Sequence, residues 1–99
     1  MISVIIPVLN EAERLPHLLA ALRIQEAAHD VIVVDGGSTD GTLEIARAGG
    51  ATTVQSAPGR GGQLNAGAQY ARGDVLLFLH ADSDLPSGAL SALDRALEK

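Results

Sequence analysis

The sequence predicts an α/β domain built on a parallel sheet with helices on both faces. Three observations carry that prediction. Short apolar, β-branched runs alternate along the chain with stretches whose leucines and alanines recur at helical spacing, the pattern of repeated β-α units. The best of these runs, Val31-Ile32-Val33-Val34 and Val75-Leu76-Leu77-Phe78-Leu79, are continuously apolar instead of alternating, as expected of strands covered on both faces. Composition agrees: 46% of the 99 residues are hydrophobic, yet there is one Phe and one Tyr, so Leu, Ile, Val and Ala must fill the core. A chain of this length forms one domain at most and buries roughly two thirds of its unfolded surface.

Residues 3–8 form the first strand, with Pro7 near its end, where a missing N–H is tolerated. Asn10 has the character of an N-cap, and Glu13 completes a capping-box-like pair with it. Leu15, Leu18, Leu19 and Leu22 follow at i, i+3, i+4 and i+7, which gives the first helix a single core face. Residues 30–35 are the second strand and end on Asp35. Gly36-Gly37-Ser38-Thr39-Asp40-Gly41 then turns sharply and offers three cap-forming side chains to a helix over residues 42–48, which Gly49-Gly50 terminates. Residues 51–56 alternate in polarity and read as a weaker third strand at a sheet edge. After a glycine-rich loop, a third helix over residues 62–71 turns small residues inward: Leu64, Gly67, Ala68 and Ala71. Gly73-Asp74 leads into the fourth strand, residues 75–79. A last helix covers residues 86–97, with Leu90, Leu93 and Leu97 on one face and Pro86 in its first turn.

The net charge of −5 argues against a nucleic-acid partner, since phosphate backbones require a basic face. A single nucleotide is compatible, because one divalent cation offsets its charge locally. The absence of cysteine excludes disulfides and thiolate metal sites. The N-terminal residues lack a basic n-region and a signal-cleavage pattern, and no apolar run approaches the roughly 20 residues that span a bilayer. A cytoplasmic location is expected, with membrane attachment through further sequence left open.

Right-handed crossovers gather the carboxyl ends of parallel strands along one rim. That rim collects Leu9, Asn10 and Glu11, then Asp35, Gly36, Gly37 and Ser38, then His80, Asp82 and Asp84. The last three are potential ligands on alternate residues at the end of a buried strand, where open α/β sheets place their ligands. A hard divalent cation takes oxygen ligands and bridges to substrate phosphates, so these residues point to a metal-assisted nucleotide site. The alternative is an acidic loop whose Asp84 caps the last helix. Gly59-Arg60-Gly61-Gly62-Gln63, ahead of a helix, suits phosphate through backbone N–H groups, with Arg60 as a bidentate donor, or else is a plain turn. It reaches the rim only if the third strand is long enough. It is no Walker A loop, and no glycine loop follows the first strand, which weighs against a dinucleotide-binding domain. Asp35 either accepts a hydrogen bond from a base or braces the turn that follows it. Asn10 and Glu11 are helix-start residues or ligands; Gln63 and Asn65 face the rim from the first turns of the third helix. His17 and His29 lie on polar stretches and belong to the surface. No Ser/His/Asp arrangement or G-x-S-x-G elbow is present.

Four stretches taken together, Val4-Ile5-Ile6-Pro7-Val8-Leu9-Asn10-Glu11, Val33-Val34-Asp35-Gly36-Gly37-Ser38-Thr39-Asp40-Gly41-Thr42, Arg60-Gly61-Gly62-Gln63-Leu64-Asn65-Ala66-Gly67 and Phe78-Leu79-His80-Ala81-Asp82, resemble family 2 glycosyltransferases. The D-G-G-S-T-D and H-A-D runs look most like the bacterial subgroup labelled arsenosugar-biosynthesis glycosyltransferases. The resemblance implies the nucleotide-sugar-binding half of a GT-A-like domain, strand order 3-2-1-4, with a UDP- or GDP-sugar donor. It implies that Pro7, Leu9, Asn10 and Glu11 line the base and ribose pocket, with Asp35 and Gly36 near the base. Arg60, Gln63 and Asn65 would lie near the nucleotide or its phosphates, and Ala81 and Asp82 would close the donor site. Asp82 would hold Mg2+ or Mn2+ as the carboxylate of a D-x-D motif. Two positions depart from the family. His80 stands where the first D-x-D carboxylate is expected, leaving Asp84 as the candidate substitute. Gly36 stands where many relatives carry a second Asp that reads the base. The family's catalytic base lies beyond the D-x-D, so the chain is expected to be part of a longer enzyme whose base follows Lys99, with a fourth-strand edge open to self-association. The competing expectation is a non-catalytic nucleotide-binding module.

Overall fold

Eight elements alternate along the chain: β1 (Ile2–Val8), α1 (Leu15–Arg23), β2 (His29–Asp35), α2 (Thr42–Ala48), β3 (Thr52–Gln55), α3 (Arg60–Ala68), β4 (Val75–Phe78) and α4 (Ala89–Ala96). The computed structural model describes residues 1–98. The four strands form one sheet, all neighbours parallel as the alternation predicts, in the order β3-β2-β1-β4 that the family resemblance implies. The register sets Val8 beside Asp35 and Asp35 beside Gln55, so the carboxyl ends of three strands finish along one line.

β1 is central because its residues pack on both faces. Val4, Ile6 and Val8 join Leu15, Leu18 and Leu22 of α1, Val33, Ala46 of α2 and Leu90 of α4 in one buried cluster. On the opposite face Ile5, Ile32, Val34 and Val54 pack under α3, with Leu64, Ala66 and Ala68 against them. Gly67 permits this close approach: a Cβ there would fall 2.6 Å from Ile5 Cγ2 and 2.8 Å from Val34 Cγ2.

Several boundaries differ from the sequence expectation. α1 begins at Leu15, not at Asn10, and no side chain caps it; the amides of Arg14 and Leu15 bond instead to the Glu11 carbonyl. α3 starts at Arg60, ahead of the predicted position, because Gly59 is clamped at both ends: its carbonyl accepts from the Gln63 amide and its N–H donates to Gln63 Oε1. Pro86 lies outside α4, cut off by Gly88 at φ 81°. The N-terminal amide of Leu90 is capped from a distance by buried Gln25, whose Oε1 accepts it at 3.1 Å while Nε2 donates to the Ala21 and Pro86 carbonyls. Among the described residues Asp84 makes no cap bond to α4.

β4 is not covered on both faces. It is the edge strand, and α3 lies over β1 and β2, so Leu76 and Phe78 are 41% and 49% exposed on the face they share with Ile5. His29 is half-buried instead of superficial, its Nδ1 2.6 Å from the Ala27 carbonyl oxygen. Among the described residues no helix is long and apolar enough to cross a membrane.

Candidate functional site

The chain leaves β1 at Val8 and kinks at Asn10, whose φ of 54° is the one positive value among the described non-glycine residues. Asn tolerates this left-handed conformation because its short side chain bonds locally in place of the backbone. Here the partner is the next loop. Asn10 Oδ1 accepts from the Thr39 amide at 2.8 Å, and the Asn10 amide donates to Ser38 Oγ at 2.8 Å. The Glu11 amide donates to Thr42 Oγ1 at 3.0 Å and the Ala12 amide to Asp40 Oδ2 at 3.2 Å. Asn10 is thus a loop-to-loop connector and not the N-cap of α1.

Asp40 also caps α2, since its Oδ1 accepts the Thr42 amide at 3.0 Å and the Thr42 hydroxyl. That hydroxyl, with the amides of Thr42 and Ala12, holds the Asp40 carboxyl below its ordinary value of 3.8 against the opposing effect of desolvation. A depressed folded-state value makes this contribution complete above the unfolded-state value and removes it as pH falls through the folded one. Asp74, bonded to the N-terminal ammonium at 3.1 Å, is shifted in the same direction. The melting temperature is therefore expected to fall as pH drops below 3.8, and Asp40→Asn is expected to flatten part of that decline. Melting curves of both proteins across the acid range check this.

Asp35 is 2% exposed, and its carboxylate accepts the amides of Gly37 at 3.3 Å and Ser38 at 3.2 Å. Of its two readings, bracing the turn is the one the geometry realises. Gly36 beside it is buried against Gln63: a Cβ at that position would lie 3.1 Å from Gln63 Cδ and Nε2. Gln63 is itself 5% exposed, and its Nε2 donates to the carbonyls of Val8 and Val34, each at 3.0 Å. One buried amide thus joins the ends of β1 and β2 to the start of α3, and any side chain at position 36 would press against it.

Above that amide lies a cleft of about 170 Å³ lined by Pro7, Val8, Leu9, Glu11, Arg60, Gln63 and His80. An adjoining recess of about 230 Å³ shares Pro7, Arg60 and His80 and adds Leu64, Phe78 and Leu79. The glycine-rich loop reaches the rim because β3 extends to Gln55 and the Ser56 amide bonds to the Asp35 carbonyl. A larger cavity of about 400 Å³, between Leu22, Arg23, His29 and Thr52 at the amino ends of β2 and β3, contains none of the motif residues. The other expected site residues do not line the cleft: Asn10 is exposed at the kink, Asp35 and Gly36 are buried in their turn, Asn65 is exposed on α3, Ala81 is packed into the core, and Asp82 and Asp84 are exposed.

A tight turn carries Asp82. The Ser83 amide bonds to the His80 carbonyl at 2.9 Å, and the His80 amide to Ser83 Oγ at 3.0 Å. Asp84 Oδ1 faces His17 Nε2 at 3.9 Å. Among the described residues no three His, Asp or Glu side chains gather to hold a metal, so His80, Asp82 and Asp84 are not a preassembled trio. Asp82 has no side-chain partner among the described residues. One or two carboxylates completed by substrate phosphates and water suffice for a hard cation such as Mg2+. The donor set fits a cation shared with a ligand and not a protein-enclosed one. Because β1 lies between β2 and β4, the Asp35 and Asp82 turns flank the same β1 loop.

Residues 3–99 match the sequence profile of glycosyl transferase family 2. The chain belongs to that family. An uncharacterised glycosyltransferase of Mycobacterium bovis is 36% identical over an alignment 99 positions long that covers 99% of this family 2 chain and 44% of the relative. The chain thus spans less than half of that relative's length. Its fold is the GT-A type of two solved family neighbours. A mannosyltransferase from Pyrobaculum calidifontis in complex with GDP-Man and Mn2+ superposes with a TM-score of 0.89 at 28% identity, over 99% of this chain and 32% of that one. Glucosyl-3-phosphoglycerate synthase from Mycobacterium tuberculosis, in complex with Mn2+, UDP and glucosyl-3-phosphoglycerate, gives 0.81 at 27% identity, over 99% and 40%.

Sequence reasoning missed the roles of Ser38, Asp40 and Thr42 as acceptors for the neighbouring loop. The one local signal was Asn10 directly after a strand, a residue type equally at home in a left-handed kink.

Proposed function

We propose that the chain is the donor-binding half of a glycosyltransferase that moves a sugar from a UDP- or GDP-sugar to an acceptor with a divalent cation, Mg2+ or Mn2+, on the diphosphate. The observation that carries this is the cleft where Pro7 at the end of β1 and Leu9 and Glu11 of the first loop meet Arg60, Gln63 and His80, two residues before Asp82, which has no side-chain partner among the described residues. The solved neighbours that hold UDP or GDP-Man together with Mn2+ support it.

In this reading Pro7, Leu9, Asn10 and Glu11 form the wall for base and ribose, next to the Asp35-Gly36 turn. Arg60 presents a guanidinium fork to phosphate oxygens, with Asn65 farther along the same helix. Asp82 supplies the carboxylate oxygen for the cation, with His80 and Asp84 within one turn as auxiliary ligands. When bound, the cation neutralises the charge that develops on the diphosphate leaving group. The base that deprotonates the acceptor is assigned to sequence beyond Lys99, and the subgroup resemblance of the D-G-G-S-T-D and H-A-D runs belongs to the same proposal. The outer edge of β4 is open to a second copy of the chain.

Calorimetry with UDP and with GDP, each with and without Mn2+ or Mg2+, tests the reading. Nucleotide binding that requires the cation is the expected result. A folded chain that binds neither nucleotide in the presence of either cation overturns it.

A further inference from the structure

We infer that Asp40 and Thr42 are positioning residues for the donor pocket, holding the kinked loop between β1 and α1 so that Leu9 and Glu11 face the cleft. This rests on the donor-binding reading above. Backbone amides in an exposed connecting loop usually bond to water or to their own turn. Here three in succession, those of Asn10, Glu11 and Ala12, donate to side chains of one facing loop: Ser38, Thr42 and Asp40. A fourth bond, from the Thr39 amide to Asn10 Oδ1, returns across the same gap. Packing does not hold this loop, because Leu9 is 47% exposed and Asn10 is exposed too. A non-glycine residue at φ 54° persists where its surroundings over-determine it. Thr42 is wholly buried, and its hydroxyl both accepts from Glu11 and donates to Asp40, so the two side chains act as one clasp.

Substitutions can cut the clasp without removing the helix cap. In Asp40→Asn the remaining carbonyl oxygen can still accept from Thr42, while the new NH2 confronts the Ala12 amide, and only the strap is lost. Thr42→Val keeps the shape and deletes the hydroxyl; Thr42→Ser restores it. Affinity for UDP or GDP with Mn2+ is expected to fall about five- to tenfold in Asp40→Asn and in Thr42→Val, the value of roughly one hydrogen bond, and to return to within about twofold in Thr42→Ser. Amide exchange at Glu11 and Ala12 is expected to accelerate in the weakened variants while the β1 amides stay protected, a local change that general loss of stability does not produce. Should Thr42→Val fail to fold, Ser38→Ala removes only the acceptor of the Asn10 amide and is expected to shift affinity and local exchange in the same direction. Variants with faster exchange but unchanged affinity overturn the positioning role and leave the donor site standing, as do variants with no change in exchange. A wild-type chain that binds no nucleotide removes both.

Discussion

Replacing Asp82 by alanine is expected to weaken cation-dependent nucleotide binding by about a hundredfold or more while leaving the melting temperature almost unchanged. Outer-shell partners of metal ligands already carry about 10- to 100-fold in affinity or activity, so in the proposed role of cation ligand Asp82 sets the larger effect. The fold is indifferent because Asp82 is exposed and has no side-chain partner among the described residues, and such surface substitutions stay within about 0.5 kcal/mol. The turn that presents it is anchored elsewhere, by buried Ala81 and by the bonds between His80 and Ser83. Asp84→Ala is the internal comparison: its carboxylate faces His17, and the expected loss is several times smaller. Titrations of UDP and GDP at fixed Mn2+, with melting curves for both variants, check the prediction. Equal losses for the two would place the cation between them.

Gln63→Glu is expected to destabilise the chain by about 3 kcal/mol or more at neutral pH, a large share of the 5–15 kcal/mol typical of a domain. The amide nitrogen it removes donates to two strand-end carbonyls in a site closed to water. A carboxylate there sets negative oxygen against both carbonyl oxygens and adds the cost of a buried charge. Burial favours the protonated acid, so the new carboxyl has a raised folded-state value. The variant's deficit relative to wild type is then smallest below about pH 4 and grows as pH rises through the carboxyl range. Denaturant titrations of both proteins at acid and neutral pH measure it. The bond from the Gly59 amide is not deleted directly, since the retained oxygen can still accept it; what is lost is the tie from the start of α3 to the ends of β1 and β2.

The architecture was legible because residues 31–34 and 75–79 are continuously apolar and because Leu15, Leu18, Leu19 and Leu22 give the helix after β1 one apolar face. What periodicity does not reveal is position within a sheet: residues 75–79 have the composition of a central strand, yet lie at an edge with Leu76 and Phe78 uncovered. Asn10 was misread for a chemical reason. The short polar side chain that caps a helix is the one that stabilises a left-handed kink, and the deciding partner, Thr39, lies in another loop. The start of α4 was obscured likewise, because its cap comes from Gln25, far back in the chain. At the site, turn bracing by Asp35 was one of the two readings open in the sequence, and its partners lie only two and three residues on. The strut formed by Gln63 was not legible, since it exists only once α3 is laid across the ends of β1 and β2.

The pairing of β1 with β4 also sets a timetable for synthesis. Ile2 pairs with Val75, and the N-terminal ammonium with Asp74, so one flank of β1 is completed only by a strand made after β2 and β3. On the ribosome β1 can join β2 once Asp35 has emerged, but closing the much longer loop to β4 is entropically costlier and slower. At roughly 5–20 residues per second, the nascent chain holds a strand with one unsatisfied backbone flank for several seconds. During that interval β1 presents the kind of unpaired edge to which other strands add.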